Sequence, residues 1–275
     1  MLIMIPSRSR AGKVDTLKSL PKSWDPSKIF LVVPHEQATE YGRAYPKTQI
    51  LSQSGISGIG PARDLCIDYA SGRGENVLML DDDLTFAVRR NDYPTKFWPV
   101  TDFDVACALK ETEMHLGTYP MIGMSSREGG NRVTEKYTWN TRSLRWLAYA
   151  PDYLRKHKIR FSDIEFMEDF HVELSLLCAG YDIPNINWMV HNQRGSNTSG
   201  GCSDYRTLDR QALAAHALKA RWPDYVTVVE KETKTAWGGQ RRTDVRIKWK
   251  EAREFGRARR SSVVLDANKG ADSTG

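Results

Sequence analysis

The chain has 275 residues, 40% of them hydrophobic and 10% aromatic, which is enough to bury one large core or two modest ones and excludes an intrinsically disordered protein. Its opening run, Met-Leu-Ile-Met-Ile, has no basic residue before it and is too short for a signal peptide or a membrane span, so it is expected to be a core strand. Cys66, Cys107, Cys178 and Cys202 show no paired spacing, which argues against a zinc site and a disulfide framework and points to a reducing, cytoplasmic compartment.

In chain order, residues 2–5 and 29–33 read as short buried strands, and residues 49–51 as a weaker one. Val14, Leu17 and Leu20 recur at helical spacing before Pro21. Leu65, Cys66, Tyr69 and Ala70 form an apolar stripe with Pro61 near the helix start. Strands alternating with helices predict an α/β fold with a parallel sheet between helical layers.

Residues 76–85 read Asn-Val-Leu-Met-Leu-Asp-Asp-Asp-Leu-Thr, a buried strand running into three carboxylates. The carboxyl ends of strands in an open α/β sheet face the ligand crevice, so Asp81, Asp82 and Asp83 are placed where ligands bind. If the chain stays extended, Asp81 and Asp83 point one way and Asp82 the other. Carboxylates this close call for a cation, and hard oxygen ligands favour magnesium or manganese shared with a phosphate. The plainer alternative is a solvated acidic turn.

Further on, Val105, Leu109 and Leu116 predict a helix, and residues 121–124, 145–150 and 185–190 predict strands, with a turn at Gly129-Gly130-Asn131 and a loop over 195–203. Residues 125–139 match no recognisable pattern. Glu168 and Asp169 open a helical run through Val172, Leu174 and Leu177. Asp169 is read either as a helix N-cap or as a general base in the crevice. His191, after a strand and before a glycine-rich loop, is read either as a packed or surface histidine or as a ligand for a metal such as manganese. Leu208, Ala215, Leu218 and Trp222 mark a further helix.

The formal charge is +6. Residues 237–261 carry nine basic residues (Arg241, Arg242, Arg246, Lys248, Lys250, Arg253, Arg257, Arg259, Arg260) against three acids (Asp244, Glu251, Glu254), so this segment holds the whole excess. With Trp237, Trp249 and Phe255 interleaved it suits a polyanion such as DNA or RNA; the alternative is a solvated tail. Three segments are expected: a catalytic domain over 1–225, a basic appendage over 226–261 and a disordered tail over 262–275.

The strand ending Ile5-Pro6-Ser7-Arg8, the stretch Gly58-Ile59-Gly60-Pro61-Ala62-Arg63-Asp64, the Leu80-Asp81-Asp82-Asp83 motif, the Glu168-Asp169 pair and His191 together resemble a GT-A fold nucleotide-sugar glycosyltransferase over about the first two hundred residues. More narrowly, the first three look like the phage TET-associated glycosyltransferases, which modify hydroxymethylated pyrimidines in DNA. The resemblance implies a GT-A, Rossmann-like, mostly parallel sheet and a hexosyltransferase using a UDP-sugar donor and Mn2+ or Mg2+. By position, Asp81 or Asp82, with Asp83 and His191, would hold the metal on the donor diphosphate. Pro6, Ser7, Arg8 and Arg10 would lie near the nucleotide, and Arg63 and Asp64 near its ribose or diphosphate. Asp169 matches the base of inverting members. Arg241, Arg242, Arg246 and Lys248 would contact double-stranded DNA carrying a hydroxymethylated pyrimidine, in the cytoplasm of a phage-infected bacterium and away from membranes. A glycan, protein or small-molecule acceptor is the nearest alternative. Asp81-Asp82-Asp83-Leu84-Thr85 also fits the nucleophile loop of haloacid-dehalogenase-type phosphatases, and a non-enzymatic nucleic-acid-binding module is a third reading.

Overall fold

The computed structural model describes residues 1–55, 57–127, 133–193, 205–233 and 239–271, with side chains through Ser261. The Gly129-Gly130-Asn131 turn, the 195–203 loop and Trp237 lie outside these residues.

The first half alternates as its apolar pattern requires. β1 (Leu2–Pro6), α1 (Thr16–Ser19), β2 (Ile29–Val32), α2 (Ala38–Ala44), β3 (Gln49–Leu51), α3 (Ile59–Gly72) and β4 (Val77–Leu80) follow one another. Parallel pairing aligns Ile3 with Ile29, Phe30 with Gln49 and Leu2 with Val77. The helix expected from Val14 to Leu20 is only the four-residue α1, although Val14 and Leu20 are both buried.

The chain then continues through β5 (Leu84–Arg89), β6 (Phe97–Pro99), α4 (Asp102–His115), β7 (Met121–Ser126), β8 (Tyr137–Trp139) and β9 (Trp146–Tyr149). It goes on through α5 (Pro151–Lys156), α6 (Glu168–Cys178), β10 (Pro184–Gln193), α7 (Leu208–Arg221), β11 (Val226–Glu232), β12 (Arg241–Ile247) and α8 (Trp249–Ala271). Ten strands form one sheet in the order β3-β2-β1-β4-β9-β7-β10-β5-β6, with β8 paired to β10. It is mixed and mostly parallel: β5, β8 and β9 oppose the direction shared by the others.

Side-chain alternation along β1 divides the core into two layers. Leu2 and Met4 pack with Val77, Met79, Leu147 and Tyr149 against Cys66 and Ile67 of α3 and Leu174 and Leu177 of α6. Ile3 and Ile5 pack on the opposite face with Leu78, Leu80, Trp146 and Ala148, against Tyr41 of α2 and Val105 and Leu109 of α4. Each fully buried aliphatic side chain of this kind contributes on the order of 1.5–3 kcal/mol.

The basic C-terminal segment is a folded part of this unit. β11 and β12 pair as an antiparallel hairpin. α8 docks on the C-terminal end of α6 through Gly256, where a Cβ would overlap the carbonyl oxygen of Leu177. Ala252 is buried, and Trp249 meets Phe170 edge-on at 5.8 Å. Trp249 therefore packs on the core instead of standing ready to stack on a base, and Phe255 lies beside Tyr225 at 6.1 Å. α8 also continues past Ser261 to Ala271, into the stretch whose small polar residues suggest the end of the ordered chain; residues 272–275 lie outside the described set. Among the described residues, no helix is long and apolar enough to cross a membrane.

Candidate active site

The parallel register of β1 with β4 sets Ser7 beside Asp82 at the carboxyl edge of the sheet. Ser7 Oγ donates to Asp82 Oδ2 at 2.5 Å and lies 2.8 Å from the Tyr41 hydroxyl. That hydroxyl also accepts from the Arg10 backbone N–H at 2.9 Å, which pins the loop after β1 over the acids. Arg10 Nη1 forms a short ion pair with Asp82 and reaches Asp83 Oδ2 at 3.2 Å. Burial pushes the Asp82 carboxyl up to about 6, against the pull of Ser7 and Arg10.

The three acids do not alternate as an extended strand would. The chain turns at Asp82 and Asp83, so both face Arg10 while Asp81 faces Arg63. Buried Thr16 clamps this turn: its Oγ1 donates to the Asp81 carbonyl at 2.6 Å and accepts from the Leu84 N–H at 2.8 Å. β5 starts immediately after it.

The glycine-rich stretch before α3 has a geometric reason. Gly58 adopts φ 95, a conformation that L side chains rarely take, and Gly60 lies so close to Phe161 that a Cβ would stand 3.0 Å from its carbonyl oxygen. This close approach carries Arg63 into the site. Its Nη1 donates to Glu168 Oε1 at 2.8 Å and its Nη2 to Asp81 Oδ1 at 3.4 Å. Burial opposes the Arg63 charge, but Glu168, Asp81 and Asp169 outweigh it, and its pKa is raised. Asp64 faces the other way: it accepts from the N–H groups of Phe161 and Ser162 at 2.8 and 3.1 Å and pairs with Arg160 at 3.4 Å. Its carboxylate holds the turn that positions α6, so on this geometry it supports the site from behind.

α6 begins without a side-chain cap. Met167 occupies the N-cap position in the left-handed conformation, φ 62, and Asp169 is the second helical residue. The capping alternative for Asp169 therefore does not hold. Strained backbone of this kind costs about 1–3 kcal/mol and recurs at functional sites. Glu168 is buried, and desolvation pushes its carboxyl up to about 7, with Arg63 opposing the shift and Asp169 adding to it. Asp169 is half-buried, close enough for its charge to act on Arg63, Asp81 and Glu168. No hydrogen bond engages its carboxylate among the described residues.

His191 lies inside β10, between Phe86 of β5 and Ser126 of β7, and is fully buried. Desolvation and then the charge of Arg145 push its pKa down to about 3, so the imidazole is neutral at physiological pH. The backbone of Met124 and Leu144 lies near enough to oppose that shift, but neither ring nitrogen makes a well-formed hydrogen bond among the described residues. A buried neutral imidazole and nearby carboxylates are the donor types that manganese accepts. Nevertheless, among the described residues no three His, Cys, Asp or Glu side chains are grouped to hold a metal ion. Asp81, Asp83 and His191 are not drawn together, because Arg63 and Arg10 engage the two acids and β9 and β7 separate β4 from the strand carrying the histidine.

Of the other expected residues, Pro6 ends β1 and Arg8 stacks over the Tyr205 ring at 5.6 Å. On β12, Arg241 and Arg246 are exposed; Arg242 pairs with Asp244 at 2.7 Å, and Lys248, just after the strand, pairs with Glu251 at 2.9 Å.

A sequence profile of the TET-associated glycosyltransferases matches residues 1–201. The chain belongs to the TET-associated glycosyltransferase family. It is a glycosyltransferase, and its helix-flanked, mostly parallel sheet is the GT-A-like fold that the motifs imply. The phosphatase and non-enzymatic readings of the acidic motif are set aside by this membership. No curated protein matches the sequence. Among solved structures, the chain is similar to GalNAc-T7 with UDP, GalNAc and Mn2+, at 12% identity over 70% of this chain and 43% of that one, TM-score 0.45. It is also similar to mannose-1-phosphate geranyltransferase from Thermus thermophilus, at 12% identity over 70% and 75% of the chains, TM-score 0.42. A third similar structure is CMP:2-keto-3-deoxy-manno-octonic acid synthetase complexed with CTP, at 13% identity over 67% and 88%, TM-score 0.40.

The motifs do not mark Thr16, Tyr41, Arg145 or Tyr205, whose roles depend on partners distant in sequence. Glu168 is visible in the sequence only as part of an acidic pair; its contact with Arg63 spans 105 positions.

Proposed function

We propose that the enzyme moves a sugar from a nucleotide sugar, a UDP-hexose, to the hydroxyl of a hydroxymethylated pyrimidine in DNA, with inversion at the anomeric carbon. The observation that carries this reading is the position of Asp169. It is a half-buried carboxylate without a capping role, and it shares one charged cluster with Asp81 at the end of β4.

In this scheme Asp169 accepts the proton of the acceptor hydroxymethyl group as its oxygen bonds to the anomeric carbon. The bond from that carbon to the diphosphate oxygen breaks, and its electron pair leaves with the nucleoside diphosphate. Arg63 holds Glu168 and Asp81 around Asp169, and Arg10 and Ser7 hold the loop after β1 against Asp82. Asp81 and Asp83 would hold a divalent cation once they exchange their arginine partners for it, and His191 would join them only if the donor complex also draws it across the two strands between. That cation supplies Lewis-acid neutralisation of the leaving diphosphate. The family, which modifies hydroxymethylated pyrimidines in phage DNA, supports the acceptor and a setting in the host cytoplasm.

The test is incubation with manganese, a panel of nucleotide sugars and DNA containing 5-hydroxymethylcytosine or 5-hydroxymethyluracil, followed by digestion to nucleosides and mass spectrometry. A hexose mass added to one modified nucleoside is the expected result. Transfer to a glycan or protein, with none to either DNA, would overturn the acceptor assignment.

A further inference from the structure

We propose that Arg145 binds the diphosphate of the sugar donor; this rests on the nucleotide-sugar reading above and assigns a residue to it. β9 runs antiparallel between β4 and β7, pairing Trp146 with Leu80 on one side and Leu147 with Gly123 on the other. Extending both registers to the start of β9 sets Arg145 opposite Asp81 and Ser125. The Asp81 N–H donating to the Arg145 carbonyl at 3.2 Å anchors the first of these. On the far side of β7, Ser126 is in register with His191. Asp81, Arg145, the Ser125-Ser126 pair and His191 thus form one row across four adjacent strands, along the edge where β4 delivers its acids.

The charge of Arg145 reaches both Asp81 and His191, the two ends of this row. It differs from the two other arginines of the site. Arg10 is engaged by Asp82 and Asp83, and Arg63 by Glu168 and Asp81. Arg145 is half-buried, and its side chain makes no hydrogen bond or ion pair among the described residues. Its backbone is also left-handed, φ 60, where glycine would be more relaxed. An arginine held in an unfavourable conformation, beside carboxylates it does not pair with, is placed to receive an anion.

The chemistry narrows that anion. Asp81, Asp83, Glu168 and Asp169 crowd the crevice with negative charge, so a diphosphate needs a cation that these acids do not already occupy. A guanidinium offers parallel N–H donors that match two phosphate oxygens, and such charge-assisted bonds are about twice as strong as neutral ones.

The experiment measures binding of UDP and of uncharged uridine to the full chain, by calorimetry and ligand-observed NMR, with and without manganese. Arg145→Gly suits the left-handed backbone, so this variant should melt at the parent's temperature or above. We expect it to bind UDP about tenfold or more weakly, with uridine binding unchanged and Arg145→Lys intermediate. Undiminished UDP affinity in Arg145→Gly, or equal losses for UDP and uridine, would overturn the proposal. If the parent binds no nucleoside diphosphate at all, the donor reading falls and this inference with it, a failure visible in the parent and therefore distinct from one confined to the variant.

Discussion

Arg63 and Glu168, 105 positions apart, form a 2.8 Å ion pair in which both side chains are more than nine-tenths buried. It joins α3 to the start of α6 and brings two parts of the site together: the acids at the end of β4, through Asp81, and the start of α6, through Asp169. Truncating one partner of such a pair leaves an uncompensated buried charge.

Arg63→Ala should therefore destabilise the fold by about 3–5 kcal/mol, a cost typical of breaking a buried pair from one side. Equilibrium denaturant unfolding measures it. Adding Glu168→Gln to Arg63→Ala should recover part of the loss above about pH 7, where a Glu168 without its arginine must ionise in the interior or hold its proton against the solution. Equal stability of the single and double variants would show that the loss comes from packing.

A pH dependence follows from Glu168, which has a folded pKa of about 7 against an ordinary 4.5. Between these values the folded protein holds a proton that the unfolded chain has released, so stability falls as pH rises across this window. The stabilisation is complete below about 4.5 and lost through about 7. Asp82, raised to about 6, acts in the same direction. Unfolding free energies measured from about pH 4.5 to 8 should decline less steeply in Glu168→Gln than in the parent; comparing the two cancels contributions from groups remote from Glu168. Identical slopes would exclude Glu168 as the source.

Much of this fold was legible because β1, β2 and β4 are apolar runs buried on both faces, and their order placed the acids at a crevice. The antiparallel strands were harder to read. β5 starts with no loop after Asp83, and β12 carries Arg241, Arg242, Asp244 and Arg246, whose charges hide a strand that still buries Val245. The acidic motif was legible as chemistry but not as geometry, since only the Thr16 clamp shows that the chain turns at Asp82. Arg145 could not be singled out locally, because its place depends on β9 being inserted between β4 and β7.

Asp169→Asn should lower turnover by about two to four orders of magnitude, the usual contribution of a general base, while leaving donor affinity unchanged. Asp169 is half-buried and caps no helix, so the variant should fold normally. Asp83→Asn should give the opposite separation, weakening manganese-dependent nucleotide binding as well as turnover. Nucleotide titration with and without chelator, beside single-turnover rates, distinguishes the two. Loss of donor affinity in Asp169→Asn would make that residue part of the donor site and leave the base unassigned.

The four basic residues expected to contact DNA are not equally available to it. Arg242 and Lys248 already have carboxylate partners in Asp244 and Glu251, whereas Arg241 and Arg246 are exposed and have no ion pair among the described residues. A phosphate contact made by Arg242 or Lys248 must compete with an existing partner; one made by Arg241 or Arg246 need not. Each phosphate contact contributes about 0.9 to the slope of log affinity against log salt on duplex DNA. Neutralising Arg241 and Arg246 together should lower that slope by about 1.8, and neutralising Arg242 and Lys248 should lower it less. Fluorescence anisotropy across a salt titration reads both slopes, and acceptor-free hydrolysis of the nucleotide sugar should be unaffected in either variant. Parent-like slopes in both variants would remove β12 from the DNA interface and leave its charge as a solvated face of the hairpin.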